Sequence, residues 1–213
     1  MFGCLRRLGC LALIIVALAA AWYWYARVDE PAAPAGTARP FWEPLSADGA
    51  ERGRIALQVL ESPSGPVFVN VSAGDVASFV FFSVANRLPE TARDLEAAVI
   101  DDRLAVRGIV PLRDLGVGRI LGPLASVLSD SDTVLFSGQL SVVQPELGQY
   151  RVFELRVQQL RIPSGLVPRV LRQIDRGERP PGVAPDGLVV PLPPYVQDIR
   201  TGNGVVTLYK RAQ

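Results

Sequence analysis

Residues 8–26 carry no charged side chain, and Arg6 and Arg7 stand immediately before them. The run ends in Trp22, Tyr23, Trp24 and Tyr25, and Arg27, Asp29 and Glu30 follow. A helix of about 19 residues rises roughly 28 Å, close to the ~30 Å hydrocarbon core of a bilayer. It satisfies every backbone N–H and C=O internally, as lipid demands. The paired arginines predict a cytoplasmic N-terminus with the chain after residue 27 on the far side, and the aromatic run fits the interfacial belt. The other reading is a cleaved signal peptide, with Arg6-Arg7 as its charged region and Ala19-Ala20-Ala21 as a small-residue cleavage site. Both readings export the remainder.

About 170 residues are left for one domain with a core of its own. Apolar residues make up 49% of the chain, which argues against disorder outside a linker. Residues 28–50 read as that linker, rich in Pro and Ala and stiffened by its prolines. The domain organisation is therefore 1–27 cytoplasmic N-terminus and anchor, 28–50 linker, and 51–213 folded domain. Within the linker, Phe41-Trp42 is free to dock on the domain or on the membrane surface.

The formal net charge is +1, and no basic cluster is interleaved with aromatics, which argues against nucleic acid as a partner. Both cysteines, Cys4 and Cys10, lie in the first ten residues, so no disulfide staples the exported domain. The chain contains no His. That removes Ser-His-Asp and Cys-His catalysis, His general-base chemistry and His-bearing zinc sites. A Ser–Lys dyad would have to use Lys210, the single lysine, with no Ser-x-x-Lys spacing nearby. The tight acidic groups, Asp101-Asp102 and Asp130-Ser131-Asp132, sit where turns are expected, and Asp favours turns because its carboxylate bonds nearby N–H groups. The residues thus point to a chain that is not an enzyme, with no catalytic residue, metal site or cofactor.

Hydrophobic periodicity places the elements. Alternation of Ile55, Leu57 and Val59 reads as a strand over 54–60, followed by a turn at 62–66 and a second strand over 67–71. Ser72 caps a helix with Asp75 at its third position, running to about Leu88 before Pro89. Val76, Val80, Val84 and Leu88 form its apolar row, with Ala77 and Phe81 beside it and Phe79 and Phe82 beyond it. Large aromatics outside the row need cover on more than one face, from a sheet, an apolar ligand or a partner protein. A hairpin follows, over 95–100 and 104–110, then an apolar crossing segment over 112–128 broken by Gly and Pro. Strands over 133–143 and 150–162 make a long hairpin, with Val134, Phe136, Leu140 and Val142 on one face of the first and Phe153, Leu155 and Val157 on one face of the second. A second helix begins near Ser164 or Val167 with Pro168 in its first turn. A strand over 188–192 and a closing hairpin over 196–200 and 205–209 complete the chain. The order predicts an α+β fold in which a curved antiparallel sheet packs around or against helices.

Three stretches carry a family resemblance: 71–76 opening the first helix, 99–106 as the next hairpin, and 187–194 before the last one. Together with the element order over 55–210, they make the chain similar to bacterial membrane-anchored YpmS-like and tubular-lipid-binding-like (TULIP-like) envelope domains. The resemblance implies a curved sheet wrapped around a helix, with lipid binding proposed for relatives and no catalytic residue to carry over. It also implies a single-pass protein of the bacterial inner membrane whose domain is periplasmic. The first functional reading is a tethered binding module for lipid or another apolar ligand, with Phe79, Phe82, Phe136, Leu140, Phe153 and Leu155 lining its groove. The alternative is a protein-interaction subunit of an envelope assembly in secretion, cell-wall or transport work. An enclosed pocket would favour the first, and an exposed apolar patch or open sheet edge the second.

Overall fold

Tight turns set the strand order. The computed structural model describes residues 40–85, 91–112, 131–174, 177 and 179–210. The apolar run 8–26 and the crossing segment beyond Leu112 lie outside the described residues. Among the described residues no helix is long and apolar enough to cross a membrane.

In chain order, β1 (Glu43–Pro44) leads to α1 (Ala47–Glu61), β2 (Phe68–Ser72) and α2 (Ala73–Ser78). A π-helical segment, Phe79–Ala85, continues α2. Strands β3 (Arg93–Ile100) and β4 (Arg103–Pro111) form a hairpin through Asp101 and Asp102, whose φ values are 48° and 59°. Two consecutive positive φ angles match the twist of the flanking strands, and Asp tolerates them. The acidic pair is thereby accounted for as a turn. The long hairpin is β5 (Ser131–Gln144) and β6 (Leu147–Val157), turned by Pro145-Glu146. After β7 (Leu160–Arg161), a 3₁₀ turn at Ser164–Leu166 enters α3 (Val167–Ile174). Strand β8 (Gly187–Pro191) follows, and β9 (Val196–Gly202) and β10 (Val205–Lys210) close the chain through Asn203-Gly204, both at positive φ.

The architecture is α+β. One antiparallel sheet runs β1-β3-β4-β5-β6, with β7 and β8 on the outer edge of β6, and a three-stranded sheet runs β2-β10-β9. A single apolar cluster joins the two sheets and the helices: Val71, Ile199 and Val206 from the small sheet, Leu104, Leu140 and Leu155 from the large one, and Leu60, Val76, Val170 and Leu171 from the helices.

Sequence expectations change in two regions. Residues 54–60 are helical and belong to α1, not to a strand. Gly49, Ala50, Gly53, Leu57 and Leu60 are buried, whereas Ile55 and Val59 are 47% and 46% exposed. That is helical spacing, and the buried face is partly glycine because α1 lies hard against α2. A Cβ on Gly49 would stand 2.8 Å from Ser78 Oγ, and one on Gly53 2.9 Å from the Asp75 carbonyl oxygen. Ser46 starts the helix by accepting from Gly49 N at 3.0 Å. The folded domain also includes residues before 51: Glu43 pairs with Ala97 and Pro44 with Glu96 of β3, and the Arg107 guanidinium lies over Trp42, 4.0 Å from the indole ring centre.

The second change is on β6. Ser137 pairs with Glu154 and Gly138 with Val152, which leaves Phe153 as an extra residue in a β-bulge. Inward-facing positions therefore pass from Tyr150 and Val152 to Leu155 and Val157, and Phe153 turns outward, away from Leu155. Gly138 permits the bulge, since a Cβ there would overlap the Arg151 carbonyl oxygen. Tyr150 lies over that glycine and its hydroxyl donates to Leu104 O at 2.7 Å.

Candidate functional site

Two features of the described residues are open to a partner, a cleft and a strand edge. The cleft opens where α1, the π-helical segment and the β8–β9 connection meet. Gly53 and Leu57 form one wall, Val76, Phe79 and Val80 the second, and Val190 to Pro193 the third, with Leu140, Ile199 and Leu208 behind them. Its cavity is about 40 Å³. Sites for small ligands usually measure about 300–1,000 Å³, so an acyl chain enters only if these walls part. The lining offers no charged side chain to fix a head group.

The six residues expected to share a groove do not converge. Phe79 and Leu140 line the cleft. Leu155 is fully inside the core, and Phe136, its cross-strand neighbour, packs against the same core. Phe82 is exposed on the π-helical segment. Phe153 is exposed between two guanidiniums, Arg103 at 5.2 Å and Arg151 at 5.5 Å from its ring centre. Two causes act: the π-helical winding changes the angular spacing that an α-helical reading assumes, and the bulge reverses Phe153. Sequence reasoning missed Leu192 and Pro193 as cleft residues. The signal was their place in a proline-rich connection between two strands.

The strand edge belongs to β2. Lys210 N donates to Val67 O at 2.9 Å, and the β10 register continues through Val69–Leu208 and Val71–Val206. The N–H and C=O groups of Val67, Val69 and Val71 therefore face β10, and those of Phe68 and Asn70 face away from it. The outward groups have no partner among the described residues. Val67 and Phe68 are 57% and 49% exposed, and no residue from Val67 to Ser72 is charged. The Lys210 ammonium is committed elsewhere, to Ser62 O and Gly65 O, both at 2.9 Å.

The remaining edges are guarded in the ways proteins usually guard them, by shortness, charge or proline. β1 is two residues long and ends in Pro44, β7 is two residues long and carries Arg161, and β8 ends in Pro191. On β9 the Asp198 carboxylate takes the Ile199 N–H at 2.9 Å and holds Arg200 Nε at 2.8 Å. β2 has no such device.

Titratable groups add structure more than chemistry. Burial pushes the Tyr150 phenol well above its ordinary value. Burial, helped by the Glu61 carboxylate, also raises that of Tyr195, whose hydroxyl donates to Leu57 O at 3.1 Å. Asp132 is buried and accepts from the Gln158 side chain. No group of three or more acidic, His or Cys side chains is placed to hold a metal among the described residues. No family model, curated protein or solved structure matches the chain.

Proposed function

We propose that this chain is a membrane-tethered, extracytoplasmic interaction domain without catalytic activity, and that it docks a polypeptide by adding a strand to the open edge of β2. The observation that carries this reading is the unguarded edge itself. Phe68 and Asn70 offer main-chain donors and acceptors, and the exposed Val67 and Phe68 supply apolar contact beside them. Strand addition draws affinity from main-chain hydrogen bonds and specificity from alternate side chains. The tether rests on the apolar run 8–26, and the lack of His narrows the chemistry left to the domain.

A photo-reactive amino acid placed at Phe68 of the full chain in cells tests the reading. Covalent adducts are expected at Phe68 and not at Phe153, on the outer face of the large sheet. Folded, membrane-fractionated protein with no adduct at Phe68 overturns it. An alkaline phosphatase fused after Gln213 tests the export: activity is expected, and a silent fusion that becomes active only after cell lysis removes the extracytoplasmic placement.

The cleft supports a second reading, an apolar ligand held between Phe79 and the Val190–Pro193 wall. Mass spectrometry of small molecules co-purified with the full chain should then find an acyl compound that Leu140→Trp displaces. Protein free of such compounds, which also fails to take up a fluorescent fatty acid, rejects it.

A further inference from the structure

We infer that the occupant of the β2 edge is a second copy of this chain, joined β2 to β2 across a two-fold axis at Val69. The inference rests on the strand-addition reading above and names its partner. An antiparallel edge is its own complement under a two-fold axis. With the axis at Val69, Phe68 of each copy lies opposite Asn70 of the other, and the outward N–H and C=O groups of both residues are all paired.

The ends of β2 select this register. Pro66 has no N–H to give at one end, and at the other Ser72 is already the cap of α2, its hydroxyl accepting from Asp75 N at 3.2 Å. Side chains agree with it. Val69 meets Val69, a β-branched pair suited to cross-strand contact, and the exposed Val67 lies along the stretch of edge beside Val71, which its own core already buries. No charge lies on the strand, so a second copy sets no like charges opposite each other, and the edge offers nothing for a charged strand to recognise. The guarded far edge of the same sheet, β9, stops the pairing at two copies. Closure gives a continuous sheet β9-β10-β2-β2-β10-β9 instead of a filament. The interface is small, so confinement of both copies to one membrane raises its occupancy through effective concentration.

The test uses the full chain with Cys4→Ser and Cys10→Ser, in membranes and in detergent. Val69→Cys on the axis should give at least about tenfold more disulfide dimer than Asn70→Cys, whose two copies stand beyond the ~7 Å Cα limit for a bridge. Differently tagged copies should co-purify, should separate when Phe68→Lys and Asn70→Lys are combined, and should rejoin with Phe68→Lys and Asn70→Glu. Phe68 and Asn70 are exposed and Val69 is half-buried against the core, so circular dichroism checks that each variant folds. Equal crosslinking at positions 69 and 70, or separation that Asn70→Glu does not reverse, overturns the inference. If the Phe68 photo-adduct contains a different protein and no dimer, the second-copy inference falls and strand addition stands. If Phe68 yields no adduct at all, both fall.

Discussion

Gly138 shapes two strands at once. Its missing side chain leaves room for the Arg151 carbonyl at the bulge and for the Tyr150 ring above it. Gly138→Ala should cost about 1–3 kcal/mol, the usual cost of overpacking that forces the main chain to shift, read by urea unfolding. Tyr150 carries a separate signature. Its phenol is neutral in the folded protein well past the unfolded value of about 10. The folded state therefore keeps a proton that the unfolded chain releases, and this contribution is full below about pH 10 and lost as pH rises through the folded value. Tyr150→Phe should cost about 1–2 kcal/mol at neutral pH, because Leu104 O loses its buried donor. The same variant should flatten the fall in stability between about pH 9 and 11, measured by unfolding at several pH values. An unchanged alkaline slope would show that Tyr150 is not its source.

At the scale of elements, α1 is the clearest test of how these residues choose their structure. Ser46→Ala should cost about 1 kcal/mol through the lost cap, and Leu60→Ala about 2–5 kcal/mol through a core void. Val59→Asp, on the exposed face, should stay within about 0.5 kcal/mol. A strand over 54–60 would place Leu57 and Val59 on one face and make them equally sensitive. The alternation of Ile55, Leu57 and Val59 reads as period two because the helix buries glycines where an apolar stripe is normally sought. The cap at Ser46 was the available signal. The hairpins at Asp101-Asp102 and Asn203-Gly204 were legible because their turn chemistry is local. The bulge at Phe153 was not, since it depends on a glycine in the facing strand. Phe79 and Leu140 were found for the cleft, but the wall from Val190 to Pro193 comes from a connection whose position only the second sheet decides.

Across the whole molecule, Glu43 ties the two sheets together. It sits on β1 of the large sheet, and its carboxylate accepts from Ser72 Oγ at the end of β2 and from Gly74 N at 3.0 Å. Glu43→Ala leaves these donors without the carboxylate and should cost about 1–3 kcal/mol. Hydrogen exchange should quicken at Gly74 and along β1 before it does in β5 and β6. Uniform quickening would mean that the tie is not local. The last strand holds a different consequence. Lys210 is the chain's sole lysine, and its amine is folded into the carbonyls of the 62–65 turn. An acylating dye or a biotin ester has one side-chain amine to target in the entire polypeptide, and that amine is sheltered. The rate at which Lys210 takes up such a reagent becomes a built-in clock for the parting of β10 from the turn, readable in living cells without engineering the sequence.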